Sequence, residues 1–206
     1  MKSIVKNTII LLCITLVVGV LLGLVYEVTA VPRAEQAEKA KQEAYKAVFA
    51  GAESFETIEG LDYEKLAEYV AEQGVTKDVA MVTEVVEAKD AAGNKLGEVF
   101  TVESYKGYDG LIKFTVGIQS DGTVNGYSVL EISETAGLGM KAKSSDWGKQ
   151  FEGKNVDHFE YTKTGATEDY QIDAISGATR TTRAMTNGVN AAVYAARYIN
   201  GEGVTK

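Results

Sequence analysis

Cysteine is almost absent from this 206-residue chain: there is one, Cys13, and it lies inside an apolar run. That count excludes a disulfide framework, an iron–sulfur cluster or a thiolate zinc site within the chain. Histidine is equally scarce, with His158 alone. Asp157 and Glu160 lie near it, but one histidine among scattered carboxylates lacks the ligand clustering of a metal centre, so it reads as an ordinary loop residue. No GxGxxG follows a strand pattern and no P-loop lysine signature occurs, so the usual phosphate cradles are missing. Repeats, low-complexity stretches and a basic stripe are missing too. The 21 Lys and Arg stand against 29 Asp and Glu, a net charge of -8. An acidic body repels phosphate backbones, which argues against nucleic-acid binding. Redox chemistry in such a chain needs an organic cofactor.

What the chain does have is one long apolar segment. From Asn7 to Tyr26 there are 20 uncharged residues, enough for about 30 Å of helix, the thickness of a bilayer's hydrocarbon core. Lys2 and Lys6 precede it and Glu27 follows, a pattern that keeps the N-terminus cytoplasmic and sends the rest outward. A cleaved signal peptide is the rival reading, with Val28-Thr29-Ala30 as its cleavage-like site. Signal cores run roughly 7–15 residues, however, so residues 1–30 are expected to be a retained single-pass anchor in the inner or plasma membrane. The rest of the chain holds 19 basic and 28 acidic residues. Its ordinary composition, 45% hydrophobic and 24% charged overall, suits one globular domain of roughly 150 residues.

Residues 31–56 read as a stalk helix. From Pro32 to about Ala52, Ala34, Ala37, Ala40, Ala44, Tyr45 and Val48 share related faces, and Glu35, Glu38, Lys39, Lys41 and Glu43 occupy another. Residues 57–206 then form an α+β domain. A short helix from Tyr63 to Gln73 follows Asp62 as N-cap and ends at Gly74. Strand signals run from Val79 to Leu130, with turns at 90–94 and at Asp121-Gly122. They predict an antiparallel sheet of at least four strands with helices on one side. A last helix is expected over Thr182–Ile199, with Met185, Val189, Ala192, Val193, Ala196 and Ile199 inward.

The segment that carries chemistry is Asp173-Ala174-Ile175-Ser176-Gly177-Ala178-Thr179. Its small residues let a bulky group approach, and Gly177 frees the backbone for an unusual turn. The helix that follows offers unpaired N–H groups and a partial positive charge, which stabilise a phosphate there. Arg180 and Arg183 add charge-assisted contacts. The plainer alternative is a bare helix start with Ser176, Thr179 or Thr181 as N-cap.

This stretch resembles the flavinylation motif, Asp-x-x-Ser/Thr-Gly-Ala-Thr/Ser, of the FMN-binding subunits of the Rnf complex and of the sodium-pumping quinone reductase. Glu134-Thr135-Ala136-Gly137-Leu138-Gly139 resembles a second family element, Glu-Thr-Pro-Gly-Leu-Gly, with Ala136 where proline is usual. Gly107-Tyr108-Asp109-Gly110 is similar to a third, Gly-Tyr-x-Gly. The three occur in family order behind one membrane helix, and the compact length favours the Rnf subunit. The resemblance implies one FMN per chain, joined through its phosphate to the Thr179 hydroxyl by a flavin transferase. By the same resemblance, Ser176, Gly177, Ala178, Glu134, Thr135, Gly137, Leu138 and Gly139 bind the cofactor, and the transferase recognises Asp173. It further implies partner membrane subunits of an ion-translocating ferredoxin:NAD⁺ oxidoreductase, with no catalysis by this chain alone. Thr164-Gly165-Ala166-Thr167 repeats the core of the motif, but Tyr161 stands where Asp173 would, so Thr167 is expected to stay unmodified. Tyr105, Tyr108 and Trp147 read as core aromatics. Three alternatives stay open: an anchored binding protein without redox chemistry, the FMN subunit of a sodium-translocating quinone reductase, and a free-standing FMN protein of extracellular electron transfer.

Overall fold

The structure, a computed structural model, describes residues 2–201. Helix α1, Lys2–Val28, leaves its apolar side chains exposed. Over Ser3–Val28 its mean hydropathy reaches 3.0, and among the described residues it is the one helix long and apolar enough to cross a membrane. Helix α2, Ala30–Val48, begins after a break at Thr29. The break has a covalent cause. Pro32 has no N–H to offer the carbonyl of Val28 four residues earlier. The Thr29 hydroxyl turns back to donate to the carbonyl of Val25 at 2.8 Å. One compact unit ends at Lys41 and a second begins at Gln42.

In the second unit the strands are β1 (Ser54–Thr57), β2 (Ala80–Lys89), β3 (Lys95–Ser104), β4 (Ile112–Gln119) and β5 (Val124–Ile132). They form one antiparallel sheet in sequential order. Both tight turns are fixed by their own carboxylates: Asp90 accepts from the N–H groups of Ala92 and Asn94, and Asp121 from that of Thr123. Helix α3 (Tyr63–Glu72) starts where expected, with the Asp62 side chain accepting from the N–H groups of Glu64 and Lys65.

Side chains alternate across the sheet, so its two faces take different cover. Val85, Phe100, Phe114, Val116 and Ile118 meet α3 and the last helix, α5 (Thr179–Ile199), which buries Met185, Val189, Ala192, Val193 and Ala196. Val86, Ala88 and Val99 on the other face meet Tyr45, Val48 and Phe49 at the end of α2. Helices on one side only is therefore corrected to cover on both. The reason lies in Gly97 and Gly117. A Cβ on Gly117 would sit 2.8 Å from that of Val48, and one on Gly97 2.8 Å from Cζ of Phe49. The α2 end rests on a floor made by missing side chains. The stalk expected over 31–56 is helical only to Val48, and its last residues enter β1.

Gly188 does the same for α5. A glycine inside a helix costs stability and here has a packing reason: its Cβ would meet the Phe114 ring at 2.5 Å. Gly188→Ala is expected to destabilise the domain by about 1–3 kcal/mol through overpacking. In a double-mutant cycle with Phe114→Leu, monitored by chemical denaturation, the Gly188→Ala loss should shrink. Strictly additive losses would disprove the contact.

Two strands carry no pattern that the sequence reveals: β6 (Glu160–Thr162) and β7 (Gln171–Asp173), a parallel pair of three residues each. The short helix α4 (Ser145–Gly148) precedes the pair. The exposed loop with Thr164–Thr167 lies between the two strands, and β7 leads on into α5.

Candidate functional site

Three segments of the second unit converge on an open cavity of about 500 Å³. The β3–β4 turn contributes Tyr108. The segment after β5 contributes Glu134, Thr135, Leu138 and Gly139, and the start of α5 contributes Gly177 to Thr181. Small-molecule sites typically occupy about 300–1,000 Å³, so the cavity has cofactor size.

Two turns of the same kind lie side by side at its wall. In Thr135-Ala136-Gly137-Leu138 the N–H of Leu138 donates to the carbonyl of Thr135 at 3.2 Å, and Gly137 has φ +75°. In Ile175-Ser176-Gly177-Ala178 the N–H of Ala178 donates to the carbonyl of Ile175 at 2.9 Å, and Gly177 has φ +77°. Positive φ at the third residue is the position where type II turns need glycine, and proline suits the second. Ala136 keeps this turn without proline's preset. The turns touch through Leu138, whose Cδ2 would lie 3.0 Å from a Cβ on Gly177.

Glu134 ties the wall together. It is 7% exposed, and its Oε1 accepts from the N–H of Tyr108 at 2.7 Å. A Cβ on Gly107 would lie 2.8 Å from that oxygen, and one on Gly139 would lie 2.5 Å from Oε2. Two glycines of different motifs thus make room for one carboxylate. Nearby Tyr105 donates to Glu103 Oε2 at 2.9 Å; burial, then that carboxylate, raises its pKa above the ordinary tyrosine value.

The start of α5 is uncapped. Its N-cap is Ala178, with no side-chain hydrogen bond to the helix end. Thr182 holds the preceding turn, accepting from the N–H of Ile175 and donating to the carbonyl of Ala178, both at 3.0 Å. That leaves the first N–H groups of the helix without a capping side chain, beside the cavity that Thr179 to Thr181 line, a setting that favours an anion. The Thr181 hydroxyl, fully buried at the cavity wall, has no hydrogen-bond partner among the described residues. Such an orphan costs about 1–3 kcal/mol unless something polar meets it. Both features fit a ligand with a phosphate and further polar atoms.

Of the residues singled out from sequence, Thr179, Gly177, Ala178, Glu134, Thr135, Leu138 and Gly139 line the cavity, whereas Ser176, Gly137 and Asp173 do not. Gly137 serves its turn: a Cβ there would meet nothing within 4 Å. A Cβ on Gly139 would crowd Glu134 and Thr181. The helix begins at Thr179, three residues before the expected Thr182. None of Ser176, Thr179 and Thr181 is its N-cap. Tyr108 is corrected from core to cavity wall, being 66% exposed, and Tyr105 is also exposed. Trp147 packs with Tyr127 and Phe151. Arg180 lines the cavity and Arg183 does not. Thr181 carried a signal only as a candidate cap.

Asp173 has its own bonds. Its Oδ1 accepts from the N–H of Ala166 at 2.8 Å, its N–H donates to Gln150 Oε1 at 2.6 Å, and its carbonyl accepts from Trp147 Nε1 at 2.8 Å. The carboxylate therefore closes the loop that contains Thr167. His158 pairs with Glu160 at 3.3 Å, and no cluster of three metal-ligating side chains occurs among the described residues.

Residues 107–194 match the FMN-binding domain family, and residues 1–48 match the RnfG N-terminal region. The chain is 32% identical over 198 residues to the G subunit of the Na(+)-translocating ferredoxin:NAD(+) oxidoreductase complex of Acetobacterium woodii, covering 93% of this chain and 91% of that protein. It is also 32% identical over 194 residues to the G subunit of the ion-translocating oxidoreductase complex of Methanosarcina acetivorans, covering 93% and 94%. The crystal structure of Shewanella oneidensis NqrC has a similar fold, with a TM-score of 0.50 over 77% of this chain and 87% of that one, at 16% identity.

Proposed function

Because the chain belongs to the RnfG family of ion-translocating oxidoreductase subunits, we propose that it is the FMN-carrying electron-transfer subunit of a membrane-bound ferredoxin:NAD⁺ oxidoreductase. The observation that carries this reading is the hydroxyl-bearing Thr179 beside a cofactor-sized cavity, at an uncapped helix start within the FMN-binding match. A flavin transferase would take FMN from FAD, with AMP leaving, and join its phosphate to the Thr179 hydroxyl, one per chain. The free N–H groups of α5 and the Arg180 guanidinium stabilise the remaining phosphate charge. The buried Thr181 hydroxyl would be open to a polar atom of the cofactor only once the wall adjusts, and Leu138 and Tyr108 would provide apolar wall. When bound, the flavin supplies the electron-carrying chemistry, and the protein fixes its place and tunes it. A covalent tether suits a relay that must stay beside its neighbours.

In this reading residues 1–30 anchor the chain, residues 31–56 are the stalk and residues 57–206 carry the flavin outside the membrane. Lys2 and Lys6 motivate that orientation. Ser120, exposed at the β4–β5 turn, offers a test. An engineered Ser120→Cys should react with a membrane-impermeant thiol reagent in intact cells, and labelling only after lysis would sink the outward placement. Full-length chain purified from such membranes should bring the other redox subunits with it.

Asp173 matters for modification in this reading, yet it also closes a loop, and two substitutions separate the roles. Asp173→Asn keeps an oxygen for the Ala166 N–H and removes the charge; Asp173→Ala removes both. If the transferase reads the charge, both variants lose most of their covalent flavin, measured by mass, while circular dichroism stays native. Full occupancy in Asp173→Asn would make the loop closure, not the charge, the requirement.

A further inference from the structure

Two of the segments that line the cavity carry more exposed cations than acids. Lys141 and Lys143 lie on the 3-10 turn that Gly139 opens, and Arg180 and Arg183 lie in the first two turns of α5. All four are exposed, and none has an ion-pair partner among the described residues. Of the domain's other cations, Lys65, Lys77, Lys89, Lys95, Lys106 and Lys113 each have a carboxylate within reach, whereas Lys46, Lys154 and Lys163 have no ion pair among the described residues. The acids of the same segments do not offset this excess. Glu134 is buried against the N–H of Tyr108, exposed Asp146 pairs with Lys149, exposed Asp173 accepts from the Ala166 N–H, and Asp109 is exposed beside Tyr108. A chain of net charge -8 thus carries a basic rim, Lys141, Lys143, Arg180 and Arg183, in two segments that line the cavity. Inside the rim, Tyr108 and Leu138 are 66% and 42% exposed.

The cofactor phosphate does not account for this rim. Arg180 lines the cavity, but Lys141, Lys143 and Arg183 do not. They are exposed, so their charge is open to a second surface. We propose that the cavity mouth is the docking face for an acidic surface of a protein electron-transfer partner, with Tyr108 and Leu138 at the centre of the contact. The proposal rests on the flavin reading of the cavity, because a bound redox cofactor exchanges electrons where its pocket opens. A small apolar centre within complementary charge is the usual anatomy of a protein interface. Weak electron-transfer contacts bury little surface, so charge does much of their steering.

The test uses the full-length chain assembled in its membrane complex. Covalent flavin per chain is measured first, by mass; flavin missing from the native chain would sink the cofactor reading itself and is told apart at this step. Flavin reduction by the complex's own donor is then timed at low and high salt. The double variant Lys141→Glu/Arg183→Glu should keep its flavin and be reduced about tenfold more slowly at low salt, with the deficit shrinking as salt rises. Lys65→Glu/Lys77→Glu, an equal change of charge on and beside α3, should match native rates. Unchanged rates in the rim variant, an equal slowing in the α3 variant, or flavin lost from the rim variant would each overturn the proposal. Reconstitution into phosphatidylcholine bilayers with and without phosphatidylglycerol tests the remaining source of negative charge. A deficit that persists in neutral lipid supports a protein partner, whereas one seen only with the anionic lipid gives the rim to headgroups and overturns it.

Discussion

Thr179→Ala is expected to abolish covalent flavin, whereas Thr167→Ala leaves it in place. The two threonines end identical Gly-Ala-Thr runs, and the fold separates them. Thr179 lines the cavity and starts a helix whose N-cap is an alanine. Thr167 sits in an exposed loop, its N–H and hydroxyl both donating to Gln171 Oε1 at 3.1 and 3.2 Å. No helix start stands behind it to hold a phosphate. Because Thr179 makes no capping bond, its loss should not unfold α5, and circular dichroism should be native. Thr179→Ser, which keeps a hydroxyl, should retain the flavin. In-gel fluorescence of the denatured chain reads all three variants. Fluorescence persisting in Thr179→Ala would put the attachment elsewhere.

Gly139→Val has the next largest expected effect, on the cofactor's behaviour after attachment. A Cβ at this position would lie 2.5 Å from Glu134 Oε2, 2.6 Å from Thr181 Oγ1 and 2.8 Å from Glu134 Cβ. The added side chain drives Glu134 off the Tyr108 N–H and displaces the orphan hydroxyl, disturbing two walls at once. Overpacking of this kind costs about 1–3 kcal/mol, enough to distort a site without necessarily unfolding the domain. The variant should therefore keep covalent FMN while its reduction potential shifts or its reduction in the assembled complex slows by about tenfold, which corresponds to about 1.4 kcal/mol of barrier. Redox titration and reduction kinetics, with mass and circular dichroism as controls, measure this. A folded Gly139→Val chain with native potential and turnover would remove this loop from the cofactor site.

Much of this arrangement was legible in the residues, and the exceptions have physical causes. Strands β2 to β5 are long enough to show their alternation, and the Asp90 and Asp121 turns punctuate them. Strands β6 and β7, at three residues each, fall below any periodic signal. Helix α5 starts three residues before the position its pattern predicts because it begins without a capping side chain. The same uncapped start opens the end of the helix to an anion. The second helical layer was unreadable because its footprint is written in Gly97 and Gly117, whose meaning appears only once Val48 and Phe49 stand over them. Around the cavity, the two glycine-bearing turns were visible as motifs. That they form a side-by-side pair, joined through Leu138, and that Gly107 and Gly139 both shelter the Glu134 carboxylate, depends on contacts distant in sequence. Tyr108 could be recognised as wall instead of core only from its exposure. The Asp173 bond to the Ala166 N–H links the motif to its own imperfect copy, a contact that no spacing rule suggests.

The most direct measurement is peptide mass spectrometry on the native full-length chain made together with its flavin transferase. Trypsin cleavage after Lys163 and after Arg180 releases a single peptide containing both Thr167 and Thr179. The account predicts this peptide heavier by one FMN less one water, with fragmentation placing the added mass on Thr179 and an intact mass showing one such group per chain. An unmodified peptide, or the added mass on Thr167, would contradict it.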